Sequence, residues 1–192
     1  MNELNLYMIF QNILSKSLVI EGNFSIVPGY GSDLNLDEVG EKITNEVKPK
    51  RYPIVALFPP VEMFKSKSGT FKLKFVFAVQ QGNGSLGIKD IRSNNTSGHP
   101  IIFDWKDMRE CAMNFYNILT ELSKITPRIF DLSKDTNYIE RFSDSGTAKI
   151  SGVILSFDII LLNDTKCDNK EYNIIDLFEL LSTDNIHPQH KH

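Results

Sequence analysis

Hydrophobic positions recur along this chain with two different periods, and the switches between them mark its elements. Leu4, Leu6, Ile9, Phe10, Ile13 and Leu14 fall at helical spacing, which predicts an amphipathic first helix over 3–17. The most legible stripe is Trp105, Met108, Ala112, Phe115, Leu119 and Leu122, which recurs at steps of three and four and predicts a central helix over 104–125. Asp104 is placed to cap its first turn, and Ile125-Thr126-Pro127 ends it, because a residue before proline is pushed out of helical geometry. Lys106, Glu110, Asn114, Glu121 and Lys124 fall mainly on the other faces, so one side is expected to meet a sheet and the other water or a partner.

Period two takes over elsewhere. Phe71, Leu73, Phe75, Phe77 and Val79 alternate with Lys72, Lys74, Val76, Ala78 and Gln80, the pattern of a strand with one buried and one more polar face. Such alternation argues for an antiparallel sheet, since parallel strands are usually buried on both faces. The run 52–58 predicts a shorter apolar strand closed by Pro59-Pro60, 138–142 a third strand followed by an Asp144-Ser145-Gly146 turn, and 149–163 the longest. In that last strand Val153, Leu155, Phe157, Ile159 and Leu161 face one way, and both faces turn apolar toward its end. Between the helical and strand stretches, 21–35 loses its periodicity amid Gly22, Pro28, Gly29 and Gly31, and 37–47 has room for a short helix through Val39, Ile43 and Val47. Residues 82–103 predict a long exposed loop, and Ile174, Ile175, Leu177, Phe178, Leu180 and Leu181 a short C-terminal helix. The fold class expected is α+β: an antiparallel four-stranded sheet with two main helices on one face, in the order α-β-β-α-β-β, with a 21–51 insertion and that short helix. One domain spans 1–183 and a polar tail 184–192.

A chain of 192 residues with 41% hydrophobic and 23% charged residues is ordinary globular material, long enough for a sizeable core. Its net charge of −3 predicts neither a general nucleic-acid coat nor a membrane-surface protein, and no apolar run approaches the roughly 20 residues of a membrane span. A signal-peptide pattern is not seen, and two cysteines, Cys111 and Cys167, match no metal spacing, so a reduced compartment is the simpler expectation. Thirteen Phe against one Trp, with many Ile, Asn and Lys, points to AT-rich coding DNA.

The candidate chemistry is thin. Gly82-Asn83-Gly84-Ser85-Leu86-Gly87 matches GxGxxG after a strand, but a dinucleotide loop needs a helix to begin there, and the Ser, Asn, Gly and Pro of 88–100 will not sustain one. The six are expected instead at the tip of a loop. His187, His190 and His192 sit in the tail without a visible fourth ligand, and His99 stands alone before Pro100. No GxSxG elbow raises a serine for a triad, and the pairs Asp104 with Asp107 and Asp131 with Asp135 read as cap and surface charges. No catalytic, cofactor or metal residues are therefore assigned. Lys48, Lys50, Arg51, Lys65, Lys67, Lys72 and Lys74 concentrate positive charge, which suits either a strand edge guarded by lysines or a small nucleic-acid-binding module using 48–74.

A first helix, a short strand, a long alternating strand, a loop, a central helix and a closing hairpin, carried by 52–58, 70–81, 104–122 and 151–162, resemble the tail-terminator and head–tail connector ring proteins of tailed bacteriophages. The closing strand, followed shortly by Cys167, is similar to that of tail-barrel ring proteins of crAss-like phages. The likeness covers most of 1–163; the departures are the 21–51 insertion and everything after 163. The resemblance implies a non-enzymatic virion protein, made in the host cytoplasm. It would form a hexameric or dodecameric ring in the tail, stacked against portal, connector and tail ring proteins. Genomic DNA would pass through the lumen without sequence-specific binding, and the 82–87 loop would reach the lumen or the next ring.

Overall fold

The alternating strands dominate the architecture. In a computed structural model the described residues are 3–27, 41, 43, 45, 52–65, 68–80, 100–125, 129–145 and 149–162. They form, in order, α1 (Glu3–Ser15), β1 (Phe24–Ile26), β2 (Ile54–Lys65), β3 (Ser68–Gln80), α2 (Pro100–Leu122), β4 (Phe130–Leu132), β5 (Tyr138–Ser145) and β6 (Ile150–Leu162). The six strands make one sheet in the order β1-β2-β3-β6-β4, with β5 also on β6.

The fold is thus α+β, but the sheet differs from the expected four antiparallel strands. It has six, and β1 runs parallel to β2, with Phe24 opposite Val55 and Ile26 opposite Leu57. Three residues cannot display a period, so β1 was hidden inside the supposed insertion and β4 between α2 and β5. The remaining pairings are antiparallel, and β3 and β6 stay in register from Ser68↔Leu162 to Gln80↔Ile150.

Pro59-Pro60 does not close the short strand as expected. β2 continues to Lys65 through a bulge, spending three steps from Phe58 to Val61 while β3 spends two from Lys74 to Lys72. Past Leu57 the strand has lost β1 and is paired only with β3 among the described residues. Two residues without N–H groups are tolerated there, at an edge and in a bulge. On the opposite edge β4 and β5 follow one another along β6. From Leu132 to Tyr138 the chain advances six positions while β6 advances three, from Ile159 to Ser156, so 133–137 loops outward between them. β5 also runs on to Ser145, into the expected turn, with a second bulge after Phe142.

Both helices lie on one face, as expected. Leu6, Ile9, Phe10, Ile13 and Leu14 of α1 and Met108, Ala112, Phe115, Leu119 and Leu122 of α2 are buried with the Val153-to-Leu161 row of β6. Phe75 is the centre of this layer, its ring 5.0 Å from Phe10, 4.9 Å from Phe115 and 5.7 Å from Phe157. α2 starts four residues earlier than the Asp104 cap would place it, at Pro100, whose fixed φ and missing N–H suit a first turn. Asp104 is instead buried inside the helix. Trp105 is anchored by its indole N–H, which donates to the Phe142 carbonyl at 2.7 Å.

The other face carries a second cluster: Ile54, Ala56, Phe58, Val76, Ala78, Phe142, Ile150 and Ile154, joined by Val27 and Ile43. Glu41, Ile43 and Asn45 are helical, within the stretch where the spacing predicted a short helix. The short C-terminal helix and the polar tail fall outside the described residues.

Candidate surfaces on the helical layer

The two helices present opposite kinds of outer face. α2 turns Lys106, Arg109, Glu110, Asn114, Asn117 and Glu121 to water. Lys106 pairs with Glu110 at 3.9 Å, and the neighbouring Lys124 with Glu121 at 2.6 Å. That is a solvated face, stabilised by pairs one turn apart. α1 has no charged residue between Glu3 and Lys16. Its outward stripe is Leu4, Met8, Gln11 and Ser15, with Leu4 64% and Met8 47% exposed.

This uncharged stripe continues onto the sheet edge. Tyr7, Met8 and Gln11 line a shallow groove with Phe24, Ser25 and Ile26 of β1, and Ile26 is 51% exposed. β1 is held from the inside, where the Val55 N–H donates to the Asn23 carbonyl at 2.9 Å and the Val27 N–H to that of Leu57 at 2.9 Å. The Asn23 side-chain amide adds a bond to the Pro53 carbonyl at 2.8 Å. Among the described residues β1 pairs only with β2, so its outer row of backbone groups is an edge.

A second, deeper feature lies between the helices. Beyond Ser15 the chain folds back through a tight turn, with Glu21 and Gly22 in the left-handed region and the Gly22 N–H on the Leu14 carbonyl at 3.1 Å. The turn buries Ile20 and leaves Leu18 94% exposed. A cleft of about 660 Å³ opens there, with Leu14 and Phe115 in its floor and Leu18, Val19, Cys111 and Ile118 around it. Burial, followed by the carboxylates of Asp107 and Glu110, pushes the Cys111 thiol up to about 11, so at neutral pH it is a neutral apolar-lining group rather than a nucleophile.

Among the described residues the other sequence candidates form no common site. Gly82, Asn83, Gly84, Ser85, Leu86 and Gly87 lie outside the described residues, as do all four histidines, Cys167, Lys48, Lys50, Arg51 and Lys67. Of the lysine cluster, Lys72 is exposed and directly opposite Asp158, and Lys74 is directly opposite Ser156, so the strand's positive charge faces an acid and a hydroxyl. Among the described residues no three His, Cys, Asp or Glu are grouped to hold a metal ion, and no helix is long and apolar enough to cross a membrane. Asp131 sits in β4 while Asp135 lies in the outward loop. The hydroxyls of Ser151 and Ser156 are buried without a partner among the described residues, but they point to opposite faces of β6 and form no common site.

Sequence reasoning named a sheet edge or the first helix as an interface only through the ring resemblance and did not find the cleft, although one signal was available: the absence of charge along α1. Leu18-Val19-Ile20 follows the helix as an apolar run that its periodicity leaves unexplained. No family model matches the chain, and no curated protein matches it.

Proposed function

We propose that this chain is a structural subunit that tiles side by side with copies of itself into a closed ring, of the kind that forms the head–tail connector and tail barrel of a tailed bacteriophage and lets DNA through its lumen. The observation that carries the assembly is the outer stripe of α1, which is uncharged along its length and merges with the open edge of β1. Interfaces are depleted of charge at their centres, whereas a free helix face normally carries it, as α2 does. The phage setting rests on the resemblance in element order.

The two sheet edges make a head-to-tail contact physically simple. Among the described residues β1 borders one side and β4 with β5 the other, and Tyr138 of β5 is 48% exposed. A patch on one side meeting a different patch on the other is a heterologous contact, which closes into a ring when its rotation divides a circle. Light scattering on the purified protein, with negative-stain imaging, tests this. A mass several times that of the 21.9 kDa chain and closed rings are expected, and Met8→Glu with Ile26→Glu should return the protein to monomers of unchanged circular dichroism. A protein that stays monomeric at every concentration would overturn the proposal.

A further inference from the structure

We propose that Trp105, Arg141 and Arg109 form a binding site for single-stranded nucleic acid, in which a base stacks on the open side of the Arg141 guanidinium and the adjoining phosphate meets Arg109. The inference does not rest on ring assembly. It starts from two arginines that the fold places side by side with no acid between them.

The site lies where the first turns of α2 cross β5. Arg141 is in register with Val153, so it points to the helical side, and its guanidinium carbon stands 5.8 Å over the centre of the Trp105 ring. The indole is itself fixed by the 2.7 Å bond from its N–H to the Phe142 carbonyl, next in the chain to Arg141. Arg109 follows Trp105 by one turn of α2, a spacing that puts the two on one flank with Cβ atoms about 5–6 Å apart. Both arginines are exposed, and among the described residues neither forms an ion pair. The lysines are placed differently: Lys106 and Lys124 pair with glutamates, and Lys72 is opposite Asp158. Nearby acids are turned away. Glu140 is in register with Ile154 and points to the other side of the sheet, Asp104 is buried, and Asp107 and Glu110 act on Cys111, which lines the cleft toward α1.

Charge alone would suit any polyanion, but the layered pair narrows the choice. With the indole on one side of Arg141, the opposite side of a planar cation is open to a second flat group. Unpaired bases stack on guanidinium planes as they do on aromatic rings, whereas a duplex keeps its base faces inside and an acidic peptide brings carboxylates without a ring to stack. The phosphate next to such a base meets Arg109, whose forked donors match phosphate oxygens. A single strand supplies both groups in one ligand, and sequence matters little because every base has a flat face.

Trp105 is the one tryptophan of the chain, so the site carries its own reporter. A thymidine oligonucleotide added to the full chain should change the Trp105 emission, with an affinity that falls steeply as salt rises. By the anisotropy of a labelled oligonucleotide, Arg141→Ala and Arg109→Ala should each weaken binding about tenfold, and Arg141→Lys, which keeps the charge but loses the plane, about fivefold. Lys134→Ala, at an exposed lysine in the loop between β4 and β5, should leave binding unchanged, and all four variants should keep the circular dichroism of the parent. Binding should also persist in the Met8→Glu, Ile26→Glu protein, whose substitutions lie away from this corner, so the outcome is read separately from ring assembly: a monomeric parent that binds refutes the ring and keeps the site. If the oligonucleotide leaves the emission unmoved, if Arg141→Lys binds like the parent, or if polyglutamate or the matching duplex competes as well as the single strand, the proposal is wrong.

Discussion

At Gly152 one added carbon decides whether β6 can lie against β3. A Cβ there would stand 1.9 Å from the Phe77 carbonyl oxygen and 3.0 Å from the Ala78 Cα, and neither is a side chain that can swing away. Glycine inside a strand ordinarily costs about 0.5–1 kcal/mol relative to alanine. Here the sign should reverse: Gly152→Ala is expected to destabilise by about 3 kcal/mol, read as a lower urea midpoint. Cys111 gives a second residue-level expectation. Below its ordinary value of 9.0 the thiol is neutral in folded and unfolded chains alike; as pH rises from 9 toward 11 the unfolded chain ionises first. Stability should therefore fall across that window, and Cys111→Ala should flatten this part of the curve, which urea titrations at stepped pH will measure. Neither feature was legible beforehand. The sequence places Gly152 in a strand and Cys111 in a helix, but only the backbone approach and the cleft give them consequences.

Elements were legible in proportion to their length and to the environment on their two sides. α2 and β3 carry enough turns or alternations for the period to emerge, and the structure puts their predicted rows, Trp105 apart, into one core. Where a local rule failed, a neighbour outweighed it. Prolines end a strand when both sides need N–H donors, yet β2 passes through Pro59-Pro60 where, among the described residues, one of its sides has no strand partner and the other bulges. Asp104 has the chemistry of a cap, but Pro100 begins the helix a turn earlier and draws the carboxylate into the buried layer. The contrast between the helices is also an element-scale fact. α2 balances its outer face with pairs such as Lys106–Glu110, whereas α1 leaves its outer face uncharged, and that difference was readable in the sequence once both helices were known to share one side of the sheet.

For the molecule as a whole, the main revision concerns residues 21–51. An insertion would lie outside the sheet, but this stretch supplies β1 and sends Val27 and Ile43 into the cluster on the face opposite the helices. The two clusters are separated by a single layer of backbone: Val55 and Leu57 point into the helical side, while Ile54, Ala56 and Phe58 point into the other. Strands that alternate between two cores cannot lose one and keep the other's geometry, so the sheet couples them. Ile43 is 1% exposed, and Ile43→Ala removes buried carbons from the cluster farther from α2 at a cost of about 2–5 kcal/mol. If the stretch is integral, that loss lowers one shared transition, and thermal unfolding followed by circular dichroism and by the fluorescence of Trp105, on the opposite side of the sheet, should shift together. An early circular-dichroism step that leaves the Trp105 signal in place would show instead that the second face melts by itself, and that this part of the chain is an appendage after all.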